Sequence, residues 1–181
     1  ACNLFPAPEA DFWQPGCKML AKTESEPMNI PLVTVIGKSG AGKTTLLEKL
    51  VAELKKRGYK LATVKHHSHR GFEIDQPGKD SWRFAQAGSD HVIIASPDKL
   101  ASYRLLERDL TLDEIAATVS GVDLILVEGY KQAGKPALEI VRAANSRELI
   151  GSREQRFAVA ADFPLDLGVP QFGLEDIQSI A

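Results

Sequence analysis

The chain has 181 residues, enough for one sizeable core, and a domain of this length buries roughly 70% of the surface its unfolded chain exposes. Its 22 basic and 24 acidic side chains leave a net charge of −2, so there is no electrostatic footprint for nucleic acid or an anionic membrane surface. No apolar run reaches the ~20 residues that span a bilayer, and the opening residues lack the basic-then-apolar order of a secretory signal, which makes the cytoplasm the expected compartment.

Residues 1–27 carry four prolines and no sustained hydrophobic period. The segment reads as an appendage, disordered or foreign to the domain, with Phe5, Phe12 and Trp13 as anchors if it is instead a partner-binding peptide. Cys2 and Cys17 both lie in it, at a spacing that fits neither a zinc site nor a disulfide scaffold. The domain is expected to begin near Met28-Asn29-Ile30-Pro31 and to run to the C-terminus.

The apolar run Leu32–Ile36 predicts a strand, and Gly37-Lys38-Ser39-Gly40-Ala41-Gly42-Lys43-Thr44 follows it as G-x-x-x-x-G-K-T. Glycines at these positions let the backbone curl with its N–H groups turned inward to phosphate oxygens, and a helix N-terminus faces the same anion. Lys43 is expected to reach the β- and γ-phosphates and the Thr44 hydroxyl to ligate Mg²⁺. Leu46, Leu47, Leu50, Val51 and Leu54 recur at helical spacing, Glu53 and Arg57 form an i,i+4 pair, and Gly58 is a stop signal.

Beyond that helix, residues 60–64 predict a strand ending at Lys65-His66-His67, followed by a polar loop to Asp80, where Asp80 or Ser81 caps a short helix through Gln86. His91–Ala95 predicts a strand, 100–106 an edge ribbon, and 111–119 a helix with Thr111 at its cap and Glu114 at N3. Strands follow at 122–127, 138–141 and 157–160, and a terminal helix at 174–180. Strand–helix alternation of this kind predicts an α/β fold with a mostly parallel sheet flanked by helices.

Ligands of such sheets sit outside the carboxyl ends of the strands. That edge collects the loop from the first strand, Lys65-His66 from the second, Glu128-Gly129 from the strand over 122–127, and Asp162 from the strand over 157–160. Asp123 starts its strand, roughly 15 Å from that edge at about 3.3 Å per residue, so Glu128 is the better Mg²⁺-side or water-orienting carboxylate.

Three segments together resemble one family: Gly37 to Thr45; Lys65-His66-His67-Ser68-His69 leading to Asp75-Gln76-Pro77-Gly78-Lys79-Asp80-Ser81, with Ala87-Gly88 after it; and Leu124 to Lys131. They are similar to the MobB family of molybdopterin-guanine dinucleotide biosynthesis adaptor proteins. The loop alone is generic, whereas the His-rich segment joined to D-x-P-G-K-D-S is far more specific. The resemblance implies a P-loop NTPase fold and a weakly hydrolysing, GTP- and Mg²⁺-binding homodimer. It also implies that the protein helps a MobA-type guanylyltransferase attach GMP to molybdopterin.

On that resemblance the nucleotide contacts are Gly37, Lys38, Ser39, Gly40, Ala41, Gly42, Lys43, Thr44 and Thr45, with His66 near the strand end. Mg²⁺ falls to Thr44, Asp75 and Glu128, and Lys43 with Glu128 carry what catalysis there is. Residues 65–80 read as a switch-like loop. No N-K-x-D or T-K-x-D tetrapeptide is present, and Asp162 could replace it by accepting from guanine N1–H and the 2-amino group. Lys38 is either a solvent-facing lysine beside an anion site or one that reaches a partner subunit's nucleotide. His66, His67 and His69 could hold a transition metal or a pterin phosphate. The alternative from another class is a small-molecule kinase, with Arg142, Arg147, Arg153 and Arg156 as a lid.

Overall fold

The computed structural model describes residues 30–67 and 71–181. The leading segment 1–27 and His69 lie outside the described residues. In chain order the elements are β1 (Leu32–Ile36), α1 (Lys43–Lys56), β2 (Leu61–Lys65), α2 (Asp80–Gln86), β3 (His91–Ala95), β4 (Leu100–Arg104), α3 (Leu112–Ala116), β5 (Leu124–Glu128), β6 (Ala137–Val141), β7 (Arg156–Ala161), β8 (Gln171–Phe172) and α4 (Ile177–Ile180).

Six strands pair in parallel in the order β2-β5-β1-β6-β7-β8. The central strands are largely apolar because both faces of a parallel sheet are covered, with Thr34 and Glu139 as buried polar exceptions. On one face α1 lays Leu46, Leu47, Leu50 and Leu54 against Val35, Leu126, Leu138, Ile140, Ala158 and Ala160. On the other, Leu112 of α3 covers Ile125 and Val127. Val141, Val159 and Ala161 form a third cluster beneath Leu149, Phe163 and Leu165.

α1 ends as its residues dictate. Gly58 takes φ 91, its N–H donates to the Lys55 carbonyl at 3.1 Å, and the Tyr59 N–H donates to the Leu54 carbonyl at 3.1 Å. That pair of bonds is a Schellman stop. The Glu53–Arg57 pair forms at 3.2 Å, and a second nitrogen of Arg57 donates to the Gln178 carbonyl, fastening α4 to α1. Thr111 and Glu114 make the expected reciprocal capping box.

Several boundaries differ from the sequence reading. The N-cap of α2 is Lys79, with no side-chain capping bond; Asp80 is instead the first helical residue and faces Arg83 at 3.5 Å. A carboxylate within the first turn still complements the helix dipole, which explains the acidic residue without a cap. α3 ends at Ala116 instead of Val119, where the Thr118 hydroxyl donates back to the Ile115 carbonyl at 2.7 Å. α4 spans four residues, and the two-residue β8 is too short to show a period. β5 starts at Leu124 because Asp123 is occupied: its carboxylate accepts the Lys60 N–H at 2.7 Å and its own N–H donates to the Lys60 carbonyl at 2.8 Å.

β3 and β4 form a separate antiparallel hairpin outside the main sheet. Their link is a tight turn closed by the Ser96 N–H on the Lys99 carbonyl at 2.8 Å, far too short for a parallel crossover. The hairpin and its exit leave Ile93, Ile94, Leu100, Leu105 and Leu106 exposed.

Candidate functional site

Parallel registers bring the strand ends to one edge: Val35 of β1 and Lys65 of β2 both stand opposite Glu128 of β5. β1 then delivers residues 37–42 as a bend with φ 148 at Gly37, 78 at Gly40 and 97 at Gly42. Gly37 is required twice over, since its φ is positive and a Cβ there would stand 2.5 Å from the Ile140 carbonyl oxygen. The Lys43 ammonium closes the bend from inside, donating to the Gly37 and Lys38 carbonyls, each at 2.9 Å. Burial pushes its pKa below the ordinary lysine value; the Glu128 charge opposes that shift and Lys65 adds to it.

Beside the bend, the Thr44 hydroxyl donates to Glu128 Oε2 at 2.8 Å, and Lys65 Nζ lies 3.8 Å from the same oxygen. A hydroxyl and a carboxylate oxygen in contact are the donors of a partial protein shell that Mg²⁺ accepts, its remaining positions going to phosphate and water oxygens. The residues present therefore fit the ion. Asp123 is at the other end of β5, bound to Lys60.

Asp75 is engaged by other groups. Its carboxylate accepts from the Tyr103 hydroxyl at 2.9 Å and the Gln76 N–H at 2.8 Å. The Ser81 hydroxyl, first, and Tyr103 with Gln76 after it hold its pKa low. Its contacts tie the loop before α2 to the hairpin, and none is with Thr44 or Glu128. Among the described residues no three His, Cys, Asp or Glu side chains converge on a metal position. His66 and His67 alone therefore make no such centre.

His66 sits on the edge: its N–H donates to the Glu128 carbonyl at 3.0 Å and its ring lies 4.4 Å from the Tyr130 ring. Tyr130 has φ 53, the single positive value among described non-glycine residues, directly after Gly129. Burial raises its hydroxyl pKa, with the Asp109 charge adding to the rise. Lys38 forms an ion pair with Glu148 of its own chain, which lowers the Glu148 pKa by a hydrogen bond and by charge. Asp162, at the end of β7, accepts the Ala143 N–H on Oδ1 at 2.7 Å and lines a cleft of about 520 Å³ with Phe163, Pro164, Phe172 and Gly173.

Two residues at this edge escape sequence reading in these roles. Asn145 donates its side-chain amide to the Ser39 carbonyl at 2.9 Å, and the Arg142 guanidinium lies 3.3 Å from where a Cβ on Gly42 would stand. The strand-end rule that selects Lys65, Glu128 and Asp162 selects Arg142 when applied to β6. Arg156 is no lid residue: it belongs to β7, buried against Glu139 at 2.6 Å. Arg147 lies over the Phe163 ring at 4.9 Å.

Comparison with known proteins agrees with this architecture. The family model MobB, described as molybdopterin guanine dinucleotide synthesis protein B, matches residues 32–162. The molybdopterin-guanine dinucleotide biosynthesis adapter protein of Haemophilus influenzae is 38% identical over 84% of this chain and 86% of its own length. The Escherichia coli protein of the same name is 36% identical over 84% and 90%. A crystal structure of molybdopterin-guanine biosynthesis protein B aligns with TM-score 0.66 and 32% identity over 82% of this chain and 94% of the other. That of Bacillus subtilis MobB gives 0.68 and 27% over 83% and 93%. This chain belongs to the MobB family, and the α/β sheet anticipated from its strand–helix alternation is the fold those structures share.

Proposed function

We propose that this chain is a GTP-binding adaptor in molybdenum cofactor biosynthesis. It assists a MobA-type guanylyltransferase in attaching GMP to molybdopterin and hydrolyses GTP only weakly. The observation that carries the nucleotide half is the Thr44–Glu128 contact at 2.8 Å beside a bend whose Gly37, Gly40 and Gly42 take positive φ. The names of the relatives, molybdopterin-guanine dinucleotide biosynthesis adapter proteins, support the biosynthetic half.

Each residue's task follows from its position. Lys43 exchanges two loop carbonyls for phosphate oxygens, so no large rearrangement is needed to present its charge. Thr44 and Glu128 hold the metal side, and bound Mg²⁺ would neutralise charge on the β- and γ-phosphates. Glu128 is already shared between Thr44 and Lys65, which leaves it poorly placed as a general base and fits slow turnover. The apolar residues of the β3–β4 hairpin support a homodimer that covers them. No helix among the described residues is long and apolar enough to cross a membrane.

Guanine selection falls to Asp162 in this reading, since its carboxylate lines the cleft at the end of β7. Asp162→Ala is expected to cut the preference for GTP over ATP about tenfold in competitive binding. An unchanged ratio removes the base-reading role. The adaptor role is tested by co-purification with a molybdopterin-loaded guanylyltransferase, with and without Mg·GTP. Association that strengthens with nucleotide is expected; no association, together with phosphorylation of a small metabolite, would establish a kinase instead.

A further inference from the structure

We propose that Arg142 is a nucleotide ligand that binds the diphosphate from the flank opposite the metal side; this rests on the nucleotide-binding reading above. Three observations carry it. Arg142 follows the last residue of β6 at the carboxyl edge, and its guanidinium reaches the loop at Gly42, the last residue before α1. Its Nε is fully buried without a hydrogen-bond partner among the described residues. A guanidinium held with one donor removed from water and unpaired costs free energy, and a charge-assisted bond from its terminal nitrogen beside Gly42 to a ligand oxygen would offset that cost.

The third observation is rigidity. The turn after β6 is closed by the Asn145 and Ser146 N–H groups on the Arg142 carbonyl, each at 2.9 Å. Asp162 fixes it from β7 through the Ala143 N–H, and Asn145 ties it to the Ser39 carbonyl. Such bracing holds the arginine over the loop rather than letting it sweep through solvent. Glu175 is near enough for the Arg142 charge to add to the lowering of its pKa, but the larger cause there is its bond to Lys49, which already engages it.

Sheet order decides which part of the nucleotide Arg142 meets. β5 and β6 flank β1 on opposite sides, so Glu128 and Arg142 approach the loop from opposite flanks. Glu128 with Thr44 marks the Mg²⁺ and γ-phosphate flank, leaving Arg142 the α- and β-phosphates. GTP and GDP should therefore depend on it equally, whereas a γ-phosphate ligand would distinguish them.

The test is calorimetry of Mg·GTP and Mg·GDP with the full chain, wild type and Arg142→Met, alongside melting of the ligand-free proteins. Methionine keeps an unbranched apolar stem and removes the donors. Affinity for both nucleotides is expected to fall roughly 10- to 100-fold with their ratio preserved, while the ligand-free melting temperature stays level or rises. Arg142→Lys, which restores a cation, is expected to recover part of the lost affinity. Unchanged affinity, loss confined to GTP, or a lowered melting temperature with no recovery by lysine would each overturn the proposal. Wild-type protein that binds neither nucleotide overturns the nucleotide reading itself; wild-type binding that Arg142→Met leaves intact overturns only this inference.

Discussion

Lys43→Ala is expected to reduce Mg·GTP affinity by at least about 100-fold, near 3 kcal/mol, because it removes the one ammonium already folded over the bend. The fold should survive, since the lysine bonds only to carbonyls of its own loop. Equilibrium titration and a thermal melt separate the two effects: lost binding with an unchanged melt is predicted, and retained binding would contradict the role. The same lysine imposes a pH dependence. Burial lowers its pKa, so it loses its proton at a lower pH than an ordinary lysine as pH rises, and deprotonation removes the charge that the phosphates need. Affinity should accordingly decline on the alkaline side, below the pH at which a solvated lysine titrates. In the ligand-free protein the sign is opposite: the unfolded chain holds this proton more tightly, so stability rises with pH between the lowered and the ordinary pKa.

Arg156→Met is expected to destabilise the protein by about 3–5 kcal/mol, the cost of leaving a buried carboxylate without its cation. Glu139 is fully buried in β6, and its carboxylate takes Arg156 Nε on one oxygen and the Ile150 and Gly151 N–H groups on the other. Arg156 also donates to the Gly151 carbonyl at 2.6 Å. The pair thus pins the far end of the segment that begins at Arg142, and so supports the loop flank as well as the sheet. Denaturant unfolding reads the effect directly. The double variant Glu139→Leu with Arg156→Met should cost clearly less than the sum of the single variants, because each single change strands a partner that the double removes. A loss below about 1 kcal/mol for Arg156→Met would show that water or a neighbour satisfies Glu139 and would contradict the account.

What could be read from the sequence was local or directional. The bend at 37–44, the Gly58 stop and the Thr111–Glu114 box are set by residues within a few positions of each other. Glu128 could be preferred over Asp123 because strand polarity alone separates the two ends of β5, and the structure puts Glu128 on Thr44 and Asp123 on Lys60. What stayed hidden depends on partners distant in sequence. Asp75, expected on the metal side, is engaged by Tyr103, 28 residues on, a contact that no local pattern announces. Arg156 looks like a lid arginine until Glu139 is found beside it in the next strand. Asp80 looks like a cap because the residue type is right, but the helix begins one residue earlier than that role requires. The hairpin of β3 and β4 resembles sheet strands in composition, and only the length of its turn rules out a parallel crossover.

Titration of the wild-type chain with GTP, in Mg²⁺ and again after chelation, bears most directly on the whole account. Saturable binding that weakens when Mg²⁺ is removed is the predicted result, with Thr44 and Glu128 as the oxygens through which the metal acts. A chain that takes up no guanine or adenine triphosphate in the presence of Mg²⁺ would contradict it.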